Sequence, residues 1–445
     1  MQLGSKYTIK SIIAREILDS RGYPTVEARV CTMSGVCATA SAPSGKSTGK
    51  HEALELRDSH NIKRFFGKGV LRAVSNVNDK ISSVLVGRSC NEQHQIDQLM
   101  IEADGTENMR TLGANATTAV SVACAKAAAK ENEIPLYQQI AEICSDSRKS
   151  DATAPVPIMN IVNGGKHSGS GLAIQEFMII PIGGQNLNES VRIGSEVYHQ
   201  LGSILSDNLG KSAANVGDEG GFAPAAKSVK TESVLSYICQ AIETCGYHAG
   251  SDVAIGIDCA ATNFWNSAKS KYIIDGESLN SDSLLDFYDS LCDHYPIKII
   301  EDPFREDDIE SFARMTSKLG KKIFVVGDDI FVTNRTRVDL GIEAKAANSI
   351  IIKVNQVGTL TAALDAVTTA SSKLWGIIAS HRSGETNDDW LSDFSVGIGA
   401  DAIKAGAPAR GERVAKYNRL VAIKRTRSDS SFSGKLVSRP HNMLK

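Results

Sequence analysis

Four residues with chemistry to offer stand at or just past the ends of four short aliphatic runs: Asp258, Glu301, Asp328 and Lys353. Three carboxylates on three run ends suit a hard divalent cation such as Mg²⁺, which takes oxygen ligands and leaves places for water and substrate. Without a cation, three converging acids repel one another and their pKa values rise. Any one of them alone reads as a salt-bridge partner; the set reads as a metal site. Lys353 beside such a site has its pKa lowered by the neighbouring positive charge, and a neutral amine can take a proton from carbon. A lysine salt-bridged to one of the acids is the competing reading of the same residue.

Other groups extend the constellation. His381-Arg382-Ser383-Gly384 offers an imidazole, a guanidinium and a hydroxyl before a glycine, and arginine suits bidentate binding of phosphate or carboxylate. Lys404 adds a cation at what reads as a further strand end. Gly217-Asp218-Glu219-Gly220-Gly221 sets two acids in a glycine-rich turn, and Gln175-Glu176 follows another short strand-like segment. A carboxyl group in either place can act as general acid if burial raises its pKa.

Ser44-Gly45-Lys46-Ser47-Thr48-Gly49 resembles the end of a phosphate-binding P-loop, GxxxxGK[ST]. The first glycine of that motif falls on Ala40, and Pro43 sits inside the loop, so nucleotide binding is disfavoured. The segment reads instead as a Gly/Ser loop after a strand, of the kind that closes over active sites.

These residues need a scaffold that brings strand ends together. The aliphatic runs are 253–257 ending at Asp258, 297–300 ending at Glu301, 323–326 followed by Gly327 and Asp328, and 349–352 ending at Lys353. A further run, 375–379, leads into Ser380, His381, Arg382 and Ser383. Continuous apolar runs suit strands buried on both faces, as in a parallel sheet. Helix-length segments separate the runs, which predicts βα units, and their number predicts a closed barrel with its chemistry at the C-terminal strand ends. Upstream, strand-like segments at 7–13, 25–31 and 37–40 give way to helical patterns such as the Ala-rich 116–130. The polar stretch 145–154, ending at Pro155, reads as a linker, so the division is a domain over 1–144 and a barrel over 155–445.

Length agrees, since 445 residues exceed the usual single domain. A formal net charge of −2 argues against a dedicated nucleic-acid or polybasic membrane surface. Nine cysteines are scattered without a CxxC pair, which suggests reduced thiols rather than a zinc site or a disulfide framework. The N-terminal MQLGSKYTIK has no apolar stretch of signal-peptide length, and no run is long enough to span a bilayer, so a cytoplasmic enzyme is expected.

Several segments together carry a resemblance: Leu18-Asp19-Ser20-Arg21-Gly22, EALELRD at 52–58, GDEGGFAP at 217–224, EDPF at 301–304, KVNQVG at 353–358, SHRSGET at 380–386 and AKYN at 415–418. In this order they resemble the enolases, and the resemblance covers nearly the whole chain. It implies an α/β fold in which a (β/α)₈-type TIM barrel of the enolase variant follows a smaller α+β domain. The implied reaction is the reversible dehydration of 2-phospho-D-glycerate to phosphoenolpyruvate in glycolysis and gluconeogenesis. One Mg²⁺ would be held by Asp258, Glu301 and Asp328, and a second would arrive with substrate, with Ser47 as a ligand. Lys353 would remove the C2 proton, and Glu219, assisted by Glu176, would protonate the departing hydroxyl. Arg382 and Ser383 would hold the phosphate, while His167, Glu176, His381 and Lys404 contact substrate. A homodimer is also implied. A second location at the cell surface, with plasminogen as partner, is a non-catalytic reading compatible with the C-terminal Lys445.

A relative acting on a sugar acid or muconate would share the metal triad but not the Arg382-Ser383 run or the Glu219 turn. Four positions depart from the family pattern: Lys46, Lys166, Asn263 and Gly411. Lys46, directly before the proposed ligand Ser47, is expected to point to solvent.

Overall fold

The computed structural model describes residues 5–46, 49–144, 154–225 and 229–426. The N-terminal part is built on an antiparallel sheet ordered β1 (Ile9–Leu18), β2 (Pro24–Thr32), β3 (Cys37–Ser41). The helix Ala114–Glu131 packs on β2 and β3. Its run of alanines buries almost every position, because a helix without bulky side chains can lie close to a sheet.

β2 and β3 place Cys31 opposite Cys37, with Cα atoms 4.2 Å apart, and the two are joined by a disulfide. The expectation of uniformly reduced thiols is corrected here. A six-residue spacing carries no disulfide signal by itself, but the tight hairpin makes the two positions direct cross-strand partners.

Eight strands close the barrel. They are β4 (Val156–Asn163), β5 (Glu176–Pro181), β6 (Val253–Asp258), β10 (Ile297–Glu301), β11 (Phe324–Gly327), β12 (Ser349–Ile352), β13 (Gly376–Ser380) and β14 (Ala402–Lys404). A small three-stranded sheet, β7 (Trp265–Asn266), β8 (Lys271–Ile274) and β9 (Glu277–Leu279), is inserted between β6 and β10. Every strand gives at least one apolar side chain to a central cluster, from Val156 and Ile158 on β4 to Ala402 on β14. A second, larger cluster lies between the strands and the surrounding helices. Burial on both faces is why these strands read as unbroken aliphatic runs.

One strand breaks the βα alternation. β5 runs antiparallel to both neighbours, β4 and β6. Reversal brings the start of β5, not its end, to the mouth where the other strands finish. Glu176 therefore opens a strand rather than following one, which corrects the placement expected from the sequence.

The N-terminal part docks through buried polar contacts. Asp97, on the helix Gln93–Asp104, accepts from Thr361 N at 2.9 Å and Thr361 Oγ1 at 2.7 Å, at the start of the helix Leu360–Ser372. No helix among the described residues is long and apolar enough to cross a membrane.

Candidate active site

Strand register assembles the acids. β6 and β10 are parallel neighbours with Glu301 beside Asp258, and β5 sets Glu176 beside Asp258 from the other side. β11 follows β10 in the barrel and ends at Gly327, so Asp328 comes next along the same mouth. All four carboxylates are buried. Lys404, ending β14, reaches into them: its Nζ lies 2.9 Å from Glu301 Oε2, 3.0 Å from Glu176 Oε2 and 3.2 Å from Asp258 Oδ2. Lys353, the residue after β12, donates to Asp328 Oδ2. These residues, with His167, Glu219, His381, Arg382 and Ser383, line one cleft of about 410 Å³ counted with its open mouth; Glu301 lies just behind it, bonded to Lys404.

Burial and crowding set the charges. Burial, then the neighbouring Asp258, pushes Glu301 up to about 8. Burial and Glu219 likewise hold Glu176 well above the usual carboxylate range. Burial alone would lower the two lysines, but the acids outweigh it: Asp328 lifts Lys353, and Asp258, Glu176 and Glu301 lift Lys404. The Lys353–Asp328 pair has the salt-bridge geometry that is the competing reading of this residue.

A second group gathers around Glu219. His167 Nδ1 lies 3.2 Å from Glu219 Oε1 and 3.6 Å from Glu176 Oε1. Asn160 Nδ2 donates to Glu219 Oε2 at 2.7 Å, and His381 Nε2 is 4.0 Å from Glu219 Oε1. Burial would raise the Glu219 pKa, but His167 and His381 outweigh it and hold the carboxyl well below its usual range. The surroundings therefore push the two glutamates in opposite directions, Glu176 up and Glu219 down.

Arg382 is held by a fork. Its Nη1 donates to Glu52 Oε2 at 2.9 Å and to Asn355 Oδ1 at 3.2 Å, while its Nη2 donates to Glu52 Oε1 at 3.2 Å. Gly45 packs so closely on this guanidinium that a Cβ would fall 2.0 Å from Nη2, so the loop needs a glycine there. Ser383 Oγ accepts from Arg21 at 3.2 Å. Lys46 is exposed to solvent, as expected, and its Nζ also pairs with Asp218 Oδ2 at 2.8 Å, beside Glu219 in sequence. Asn263 donates to Gln175 Oε1 at 3.3 Å. Ser47 lies outside the described residues, as do residues 145–153 of the expected linker and Lys445.

The donor set fits a hard divalent cation. Asp258, Glu301 and Asp328 are buried carboxylates offering oxygen only, and in a neighbouring trio that shares Asp328, single oxygens of Asp302, Asp328 and the half-buried Asp329 lie within 4.8 Å of one another. Asp302 also accepts from the backbone N–H groups of Asp328 and Asp329, at 2.9 and 2.8 Å, which fixes the turn after β11. Sequence reading passed over Asp302 and Asp329, although the doublets Glu301-Asp302 and Asp328-Asp329 were a signal. It also missed Asn160, which nothing local in the sequence announces.

Comparison with known proteins agrees with this geometry. Residues 9–140 match the family model described as "Enolase, N-terminal domain", and residues 151–440 match "Enolase, C-terminal TIM barrel domain". The chain is 48% identical to an enolase of Methanocaldococcus jannaschii over 97% of its own length and 99% of the relative's. It is 49% identical to an enolase of Pyrococcus furiosus, covering 94% of each chain. An enolase of Methanococcus aeolicus is 46% identical over 98% of this chain and 100% of the relative. With both halves matched and the acids, lysines and arginine gathered at one barrel mouth, the chain belongs to the enolase family of phosphopyruvate hydratases.

Proposed function

We propose that the barrel-mouth cleft carries the family reaction, dehydration of 2-phospho-D-glycerate to phosphoenolpyruvate, with Lys353 taking the C2 proton and Glu219 serving the departing hydroxyl. The observation that carries the reading is the meeting of Lys353, Glu219, Arg382 and Lys404 with the buried acids in one cleft. Family membership implies a divalent metal; Asp258, Glu301 and Asp328 would hold a Mg²⁺, with Ser47 a ligand to a second that comes with substrate. Bound cations of this kind stabilise negative charge as it grows on the substrate carboxylate.

The remaining steps belong to the chain's own side chains. Arg382 presents a planar fork to the phosphate, with Ser383 adding a hydroxyl. Lys404, cationic because acids surround it, faces the carboxylate end and stabilises charge that is greatest in the transition state. Lys353 must give up its proton before it can act as base, so the charge of Asp328 has to be answered by something other than its ammonium. His167 Nδ1 lies between the two glutamates, 3.6 Å from Glu176 Oε1 and 3.2 Å from Glu219 Oε1, so Glu176 is placed to assist Glu219 in serving the departing hydroxyl. His381 contacts substrate from beside Glu219. General acid and general base at these positions are each worth about 10²–10⁴ in rate.

A homodimer and a surface role toward plasminogen rest on the resemblance, whereas a cytoplasmic location and the domain division at 1–144 and 155–445 rest on the sequence patterns alone. The deciding experiment is a spectrophotometric assay for phosphoenolpyruvate from 2-phosphoglycerate, with and without excess EDTA. Product that forms only with free Mg²⁺ supports the reading. No metal-dependent product at any enzyme concentration sinks it.

A further inference from the structure

Arg413 is fully buried, and its guanidinium reaches both halves of the cleft wall. Its Nη1 lies 2.6 Å from His381 Nδ1 and donates to Arg382 O at 2.7 Å. Its Nη2 donates to Ser383 O at 2.6 Å and to Asp218 O at 3.0 Å. One side chain thus ties the 381–383 segment to the turn that carries Glu219. An arginine has donors only, so the His381 Nδ1 in this contact must be an acceptor. In a neutral imidazole the proton then sits on Nε2, the atom that faces Glu219.

We propose that Arg413 is a positioning residue that fixes His381 as the neutral Nε2–H tautomer, making it a hydrogen-bond donor into the cleft and never a proton acceptor there. Burial, with the charges of Arg413, Lys404 and Lys353, disfavours the imidazolium and so agrees with a neutral ring, while Glu219 opposes them. The tautomer rests on the Arg413 contact, and only its consequence for the reaction rests on the proposed placing of His381 against substrate. It adds a constraint: the proton on the Glu219 side cannot pass through His381, which leaves His167 as the only histidine of the pair free to relay it.

The test is ¹⁵N NMR of histidine-labelled, full-length protein, with the His381 signals assigned by their loss in His381→Asn. His381 is expected as the Nε2–H form throughout about pH 6 to 8. An Nδ1–H ring, or a ring that becomes doubly protonated in that range, overturns the proposal. Arg413→Lys, also donor-only, should keep the tautomer. Arg413→Gln presents a carbonyl that can accept from Nδ1–H, so it should shift the tautomer and lower kcat by about a hundredfold, in the manner of a triad histidine held in the wrong tautomer. An unchanged tautomer in Arg413→Gln also overturns the proposal. If neither variant folds, the wild-type spectrum decides. Full activity of His381→Asn would instead sink the substrate-facing role of His381, leaving the tautomer assignment standing.

Discussion

The ammonium of Lys353 donates to Asp328 Oδ2, so the candidate base and a candidate metal ligand form a single hydrogen-bonded pair. Burial would raise Asp328, yet Lys353 holds it below the usual range, and Asp328 in turn lifts Lys353. A cation held by Asp328 would compete with that ammonium and loosen the lysine proton, which would link metal binding and base activation through one carboxylate.

Lys353→Ala separates the two roles. Exchange of the C2 proton of substrate with solvent, followed by NMR in D₂O, should fall by about 10²–10⁴, the usual share of a general base. Mg²⁺ binding, measured by calorimetry, should persist or tighten, because Asp328 loses a competing cation. Loss of metal binding with exchange intact would make Lys353 a structural counter-ion only.

Glu301 gives the pH dependence. Its folded pKa of about 8 stands above the ordinary value of 4.5. A carboxyl raised on folding stabilises the metal-free protein below its unfolded pKa, and that contribution is lost as pH rises toward about 8. The Tm of EDTA-treated protein should accordingly decline over this window. A divalent cation has to displace the same proton, so apparent Mg²⁺ affinity should rise by about tenfold per pH unit up to about pH 8 and then level off. Affinity that is flat between about pH 6 and 8 would mean Glu301 is already ionised and not a ligand that exchanges a proton for metal.

The strand-end residues were legible because barrel burial writes itself into sequence: an aliphatic run on a strand buried on both faces has to stop where water and chemistry begin. Asp258, Glu301 and Lys353 could be found in that way. Glu176 could not, since a reversed strand places its first residue at the mouth and no local pattern tells the direction of a six-residue run. The Cys31–Cys37 disulfide and the Lys46–Asp218 pair depend on hairpin register and on contacts between segments 172 residues apart, which spacing does not encode. Arg413 sits near the start of the helix Gly411–Thr426 in a run of charges that reads as solvent-exposed, yet it is wholly buried.

The Arg382–Glu52 fork is the next test. Both side chains are nearly inaccessible, at 3% and 7% exposure, so each is the other's counter-charge. Arg382→Ala should abolish phosphate recognition and also cost about 3–5 kcal/mol of stability, because Glu52 is left as a buried, unpaired charge. Adding Glu52→Gln should recover much of the stability and none of the activity. Thermal melts and the phosphoenolpyruvate assay read the two effects separately. An Arg382→Ala protein that melts within about 1 kcal/mol of wild type would show that the Arg382–Glu52 pair does not carry this wall of the cleft.

Lys46 directly precedes the expected ligand Ser47 and sits beside the turn that carries Glu219. Its partner Asp218 adjoins Glu219, but the pair is open to solvent, with side-chain exposures of 41% and 26%. Ion pairs of that kind contribute about 0–1 kcal/mol and are screened by salt. Because Asp218 answers its charge locally, the lysine neither repels a second cation strongly nor anchors the turn alone; Arg413 holds Asp218 O as well. Lys46→Ala should therefore leave kcat within about tenfold of wild type (~1.4 kcal/mol), with a difference that shrinks as salt is raised. A rise beyond tenfold would mean that Lys46 obstructs the site. A fall beyond tenfold, restored by a charge-swapped Lys46→Asp/Asp218→Lys pair, would mean that this ion pair, more than Arg413, sets the position of Glu219.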